Sequence, residues 1–316
     1  MKGLLLILLS FSSNYLLSQN LYNFLNDEFK TNLLEKSKQI EGNLIIYATD
    51  FNNSILINPS KLTNIDTLFT FDDDINILLA AISLKLFDND KFNINSYLTA
   101  LIPGSTEPYL PISDDYNFPF KNELTAINLL QQRSGLYNLF LNKADSNYYF
   151  IYSNPNYNFI IDSLVSQISK NKLTIIDPNV NFNYNKLNYF LIAKILNRIT
   201  ENSLITIINN KICDLLNKPN FTINNNITPY LLGLFYRNII KNEKIIPKRL
   251  TNNYLLGSLS VNNYYVEYAM GTFYYKKIGY GNINIFNNSA RLSIYIPSND
   301  IFLLITLTNT EIDKEE

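Results

Sequence analysis

Asp66-Thr67-Leu68-Phe69-Thr70-Phe71-Asp72-Asp73-Asp74-Ile75-Asn76 is the most informative segment of the chain, and an apolar run from Ile77 to Phe87 follows it. This run predicts a buried helix that begins near Asp73 and ends near Phe87. Three successive aspartates stand where the helix starts. Carboxylates at that place satisfy free N–H groups and suit the positive end of the helix dipole, so we expect the aspartates to act as caps.

Composition excludes several kinds of site. The chain has 316 residues, of which 47% are hydrophobic and 17% charged, so it can bury a large core. The net charge of -1 gives no support for a nucleic-acid partner. There is no histidine, which excludes a Ser-His-Asp triad and histidine metal ligands. The single cysteine, Cys213, excludes an internal disulfide and a cysteine zinc cluster. No cofactor or metal is therefore predicted.

Residues 1–18 have the pattern of a secretory signal peptide. Lys2 supplies the positive start, and Leu4 to Leu9 form an apolar core too short to span a bilayer. Leu16-Leu17-Ser18 is an acceptable cleavage site and would leave Gln19 as the mature start. We expect a protein of the periplasm or the exterior, with no stable membrane span after cleavage. The oligomeric state is left open.

The order of elements predicts an α+β protein with strands at both ends. Residues 44–48 and 54–57 are β-prone, and the segments after Tyr254 are rich in tyrosine, isoleucine, phenylalanine and threonine. The chain between them has mainly helical periodicity. The expected organisation is a single domain at residues 19–309, followed by a short charged tail. Its parts are a sheet lobe at about 40–70 and 254–309, a helical lobe at about 71–250, and the tail at 310–316.

Several segments resemble the penicillin-recognising serine hydrolases, the family of β-lactamases, DD-peptidases and related esterases. Residues 66–76 resemble the family segment D-T-L-F-R-I-G-S-x-T-K, which carries the nucleophile. Further segments resemble family motifs in the family's own order: Lys91 to Pro103, Thr125 to Leu136, Pro178 to Tyr189, and Gly279 to Asn309. The resemblance covers about residues 42 to 309. It implies an antiparallel sheet flanked by helices, with a mainly helical second lobe inserted.

The resemblance also implies where the reactive groups should be. In the family a serine attacks a carbonyl, a lysine one helical turn further on activates it, and a tyrosine assists proton transfer. Aligned without a gap, the serine falls on Asp73 and the lysine on Asn76. Tyr184 matches the tyrosine, and the asparagine two residues after it is replaced by Lys186. Tyr280 stands where an edge strand of the sheet carries a cation that attracts the substrate carboxylate.

Two of these assignments have competitors. Tyr152-Ser153-Asn154 also spells the tyrosine motif, and we prefer Tyr184 because its flanking residues match as well. Lys276 or Lys277 could supply part of the positive charge that Tyr280 lacks.

These departures lead to a hypothesis of lost catalysis. Asp73 has no hydroxyl to acylate and Asn76 cannot relay a proton; removing a nucleophile or its base typically costs about 10⁴- to 10⁶-fold in rate. We therefore expect a protein that binds a peptide, a cell-wall fragment or another protein in its cleft. The alternative is an active esterase or peptidase that uses Asp73 with Tyr184 and Lys186, or that uses Ser134. A third possibility is a chain without a selected activity.

Overall fold

The structure, a computed structural model, describes most of the chain from residue 43 to residue 308. The described ranges are 43–57, 71–139, 157–173, 178, 181–222, 227–257, 259–260, 266–285 and 289–308. The expected signal peptide, the competing motif at Tyr152 and the charged tail lie outside the described residues.

One antiparallel sheet of eight strands is formed by the two ends of the described chain. Its order is β2-β1-β8-β7-β6-β5-β4-β3, so the N-terminal hairpin pairs with the last strand. Both strands expected near the N-terminus are present. The strands are β1 Asn43–Thr49, β2 Ser54–Ile57, β3 Leu259–Ser260, β4 Val266–Ala269, β5 Thr272–Tyr275, β6 Gly279–Ile285, β7 Ser289–Ile296 and β8 Ile301–Thr308.

The helices lie between β2 and β3 in the sequence, and the predicted α+β class is confirmed. Several of them begin at side-chain caps: Asn185 accepts from the Leu187 N–H, Ser203 from the Thr206 N–H and Thr228 from the Leu231 N–H. The helices are α1 Asn76–Asp88, α2 Ala126–Leu130, α3 Tyr157–Asn171, α4 Lys186–Thr200, α5 Leu204–Leu216, α6 Pro229–Ile240 and the short α7 Lys248–Leu250.

Helix α1 is the central element of the core. All residues from Ile77 to Leu84 are buried, as expected for a helix that is apolar on every side. The helix does not start where the sequence predicts, because the preceding turn, Asp72–Ile75, is a 3₁₀-helix. The cap positions of these two segments, Phe71 and Ile75, make no side-chain cap hydrogen bond, and the Asp74 carboxylate is bound by the sheet and α6 instead, so the predicted capping role is wrong for Asp74. The physical reason is the different environment of Asp74, described below.

The two faces of the sheet differ in polarity along β7. Leu292, Ile294 and Ile296 point away from α1 into a second buried apolar cluster with residues of β1 and β8. Arg291 and Ser293 alternate with them and therefore lie on the face toward the helices, where both are buried. The sheet thus presents a charged and a hydroxyl side chain to the start of α1.

An ion cluster ties α6 to the turn between β7 and β8. Asp300 accepts from Arg237 Nε at 2.9 Å and from the Tyr295 hydroxyl at 2.7 Å, and Lys241 Nζ lies 2.7 Å from its second oxygen. Burial alone would raise the pKa of Asp300, but the hydrogen bonds from Lys241, Arg237 and Tyr295 outweigh it and lower this pKa below the usual 3.8.

We expect Asp300→Asn to lower the free energy of unfolding at neutral pH and to lose this effect in acid. A carboxyl with a lowered folded-state pKa stabilises the fold above its unfolded-state pKa, and the contribution disappears as the pH falls through the folded-state value. Urea unfolding of both proteins at pH 7 and at several values below 3.8 measures the difference. A difference that stays constant over this range would contradict the assignment.

Candidate functional site

The backbone of residue 73 is held against strand β6 by two asparagine side chains. The Asp73 N–H donates to Asn284 Oδ1 at 3.0 Å, and Asn282 Nδ2 donates to the Asp73 carbonyl at 3.2 Å. Both asparagines are buried and lie two residues apart, so they share one face of the strand. The turn at the start of α1 is therefore fixed to the sheet through Asp73, the residue that the sequence resemblance aligns with the family's nucleophile.

Asp73, Tyr184 and Lys186 come together as one group. Lys186 Nζ lies 3.4 Å from Asp73 Oδ1, with side-chain exposures of 33% and 17%, so the ion pair is partly open to solvent. Burial of the Tyr184 hydroxyl, followed by the charge of Asp73 and a hydrogen bond to its carboxylate, raises the pKa of Tyr184 well above its usual value. Tyr184 is thus a neutral hydrogen-bond donor beside an ion pair.

Asn76 is buried at the start of α1, where a strand turn packs against its backbone. Gly271, between β4 and β5, has a φ of +79°. A Cβ on Gly271 would lie 2.5 Å from the Asn76 carbonyl oxygen and 2.5 Å from the Ile77 nitrogen. The absence of a side chain at Gly271 therefore allows the hairpin to approach the first turn of α1.

Asp74 points away from the Asp73–Lys186 pair and into the protein. Its carboxylate is fully buried and is paired with Arg291 at 2.9 Å. Hydroxyls of Tyr236 and Ser293 donate to Oδ1, each at 2.5 Å, and Asn284 Nδ2 donates to Oδ2 at 3.2 Å. The second aspartate of the triplet is thus paired with Lys186 at a partly exposed place, and the third is bound by the sheet and by α6.

Tyr280, which the sequence resemblance aligns with the family's cationic strand residue, lies on β6 and stacks on Tyr274 with 4.9 Å between ring centroids. Burial, then the neighbouring Tyr274 and Glu267, raise the pKa of Tyr280 to about 12. Lys276 pairs with Glu267 at 3.1 Å, at the turn between β5 and β6. The cation beside Asp73 comes instead from α4, through Lys186.

Ser134, the other hydroxyl considered from the sequence, is part of a buried amide network. Its hydroxyl donates to Asn188 Oδ1 at 2.6 Å, and Ser134 is 1% exposed. Gln132 Oε1 accepts from Asn188 Nδ2 at 2.6 Å and from the Asn185 N–H at 2.8 Å. This network joins the loop after α2 to the start of α4 and so positions Tyr184 and Lys186.

Aromatic side chains form one wall next to this group. Tyr184 stacks on Phe273 with 5.8 Å between centroids, and Phe182 and Tyr268 lie 5.1 Å apart. Such a wall, beside one carboxylate and one ammonium group, suits a ligand with both apolar and polar parts.

Sequence reasoning missed the asparagines of β6 and the partners of Asp74. Asn282 and Asn284 alternate within a β-prone run, and buried polar residues with a period of two would have been a signal of a polar patch on the sheet. Among the residues that the structure describes, no group of three or more Cys, Asp or Glu could hold a metal ion. None of the described helices has the length and hydropathy needed to cross a membrane.

Comparison with known proteins identifies the fold. Residues 77–229 match the model of the β-lactamase family, and this match begins immediately after Asn76. No curated protein is significantly similar in sequence. The resemblance to the penicillin-recognising serine hydrolases is confirmed by the family match together with the solved structures below.

Three solved structures illustrate the similarity, which at these identities concerns the fold. A D-stereospecific amidohydrolase from Streptomyces sp. is 13% identical, covers 90% of this chain and 94% of its own, and gives a TM-score of 0.66. A D-amino acid amidase from Ochrobactrum anthropi SV3, complexed with L-phenylalanine, is 11% identical, with coverages of 90% and 92% and a TM-score of 0.65. An octameric penicillin-binding protein homologue from Pyrococcus abyssi is 13% identical, with coverages of 90% and 74% and a TM-score of 0.63.

Proposed function

We propose that this homologue of the penicillin-recognising serine hydrolases keeps their fold, lacks their acyl-enzyme chemistry and acts by binding a ligand in the cleft beside Asp73. The ligand classes we propose are a peptide, a cell-wall fragment or a segment of another protein. We further propose that the chain is exported through its first 18 residues and acts in the periplasm or outside the cell.

The observation that carries this proposal is the environment of Asp73. Acyl transfer needs a nucleophile, a base to activate it and free N–H donors that hold the oxyanion. Asp73 supplies a carboxylate paired with Lys186, whose negative charge would oppose a developing oxyanion. Its own N–H is already engaged by Asn284. The carboxylate and the backbone N–H of Asp73 are therefore both engaged in other interactions.

The serine hydroxyls near this region support the same conclusion. Ser134 and Ser293 are buried and donate to Asn188 and Asp74, respectively. Neither hydroxyl is placed to attack a bound carbonyl without breaking the hydrogen bond that it makes.

We expect no covalent adduct when the purified protein is incubated with a fluorescent penicillin or a fluorophosphonate. Intact mass measurement after gel fluorescence checks this, with an active serine β-lactamase labelled in parallel as the positive control. A stoichiometric mass increase would contradict the proposal, and peptide mapping of the adduct would then locate the nucleophile. Ser134→Ala is the variant that tests the hydroxyl considered from the sequence.

One observation favours the alternative of an active hydrolase. The group combines a carboxylate, a phenol and an ammonium group, from Asp73, Tyr184 and Lys186, and such groups can accept and donate protons in catalysis. Hydrolysis of p-nitrophenyl acetate or a cephalosporin, abolished by Lys186→Met and retained by Lys170→Met, would support it. Lys170 is the matched control because its side chain is 69% exposed and pairs with Asp115 instead. If the wild type, Lys186→Met and Lys170→Met all hydrolyse these substrates no faster than buffer alone, the alternative of an active hydrolase is ruled out.

Binding and export have separate tests. Thermal shifts with muropeptides and with D- and L-phenylalanine amide should show stabilisation by at least one ligand, lost in Tyr184→Ala because the ring is part of the aromatic wall. Bacterial expression of the full chain, fractionation and N-terminal sequencing should give an extracytoplasmic protein that begins at Gln19. Retention of Met1 in a cytoplasmic product would contradict export.

A further inference from the structure

Hydrogen-bond donors surround the carboxylate of Asp74 in the interior of the protein. Four donors from three elements converge on its two oxygens: Tyr236 from α6, Asn284 from β6, and Arg291 and Ser293 from β7. All four side chains are 3% exposed or less. We call this set of four residues the carboxylate pit.

The carboxylate pit is supported by a further hydrogen bond. Asn282 Nδ2 donates to the Tyr236 hydroxyl at 3.0 Å, so the tyrosine proton is directed at Asp74 Oδ1. A buried guanidinium is costly unless an anion balances it. The buried guanidinium of Arg291 therefore favours an anion at the position of the Asp74 carboxylate, whichever molecule supplies it.

We infer that the carboxylate pit is an anion-binding site in its own right, selective for a carboxylate, and that the side chain of Asp74 is its resident ligand. The carboxylate pit is buried and shares no residue with the Asp73–Tyr184–Lys186 group. The inference therefore does not depend on the proposed function. If Asp74 is shortened, a small free carboxylate should take its place between the same donors.

Formate rescue of Asp74→Ala tests this inference. Alanine removes only the carboxylate group, and formate is that group with one hydrogen. The variant should melt about 10 °C below the wild type, since a buried charge loses its partner. Sodium formate, at an ionic strength held constant with sodium chloride, should raise the melting temperature by about 5 °C and follow the dependence expected for one binding site. Acetate should act more weakly because its methyl group would overlap the alanine side chain.

Three controls separate specific binding from a general salt effect. The wild type and Asp74→Asn have no vacant space in the carboxylate pit, and Leu79→Ala creates an apolar cavity at a fully buried position of α1. None of these proteins should respond to formate. A folded Asp74→Ala protein without a formate response, or an equal response in all four proteins, would overturn the inference.

A second set of variants decides the question if Asp74→Ala does not fold. Tyr236→Phe and Ser293→Ala each remove one donor to the carboxylate. Tyr109→Phe is the matched control, since that buried hydroxyl accepts from an uncharged donor, the Asn93 N–H, at 3.0 Å. Hydrogen bonds to charged groups are about twice as strong as neutral ones, so the two pit variants should lose clearly more melting temperature than the control. Equal losses in all three would overturn the inference.

Discussion

Arg291→Met is expected to lower the free energy of unfolding by about 3–5 kcal/mol, because it leaves the buried carboxylate of Asp74 without its cation. The side chains of Arg291 and Asp74 are 2% and 0% exposed, so water cannot replace the lost partner. Methionine approximates the length of the arginine stem, which keeps the change in packing small. Urea unfolding followed by circular dichroism measures the loss.

A surface pair and a double variant serve as controls for this prediction. Lys211→Met breaks an ion pair with Asp214 whose side chains are 45% and 70% exposed, and should cost at most about 1 kcal/mol. Combining Arg291→Met with Asp74→Leu removes both charges and should recover much of the stability lost in the single variant. A loss below 1 kcal/mol for Arg291→Met would show that the remaining donors suffice to hold Asp74.

Gly271→Ala is expected to destabilise the protein by about 4 kcal/mol or more, which is at the upper end for a single substitution. Two effects add at this position. The φ of +79° is unfavourable for a residue with a Cβ, and that Cβ would lie 2.5 Å from backbone atoms of Asn76 and Ile77. Because neither backbone can yield without moving the hairpin or α1, the clash should shift the start of the helix as well.

Gly104→Ala is the matched control for the steric part. Gly104 has a similar φ of +78°, but a Cβ there would meet no atom within 4 Å. It should therefore cost only the backbone strain, about 1 kcal/mol. Both variants are compared by thermal and urea unfolding. Similar losses at the two positions would mean that the contact between Gly271 and Asn76 is relieved by a small movement.

The gathering of Asp73, Tyr184 and Lys186 could be anticipated because the resemblance to the family implies that their two segments meet. Tyr184 and Lys186 are two residues apart at the start of one helix, and the resemblance in residues 66–76 relates that helix to Asp73. The long apolar run after Asn76 likewise indicated a buried helix, since no amphipathic alternative fits it. The β-prone runs at both ends of the described chain indicated an antiparallel sheet, but not the number or the order of its strands.

The role of Asp74 could not be read from the sequence. Adjacent carboxylates at a helix start look alike in a linear pattern, and capping is the commonest explanation for them. The partner Arg291 is 217 positions further along the chain and becomes a neighbour only through the register of β6 and β7. The positions of Asn282 and Asn284, which bind the backbone of residue 73, are set by the same strand register. For this reason the buried helix after Asn76 could be predicted from the sequence, whereas the environment of Asp74 could not.

Strand β6 holds the backbone of residue 73 through Asn282 and Asn284, and this limits what a single substitution at residue 73 can change. Changing Asp73 to serine would introduce an alcohol but leave the N–H of residue 73 engaged by Asn284, and residue 76 would still be an asparagine without an amine. Further changes would also have to free Asn284, which simultaneously holds Asp74. Acyl-enzyme chemistry at this position would therefore require several linked substitutions, and none of them alone would supply it.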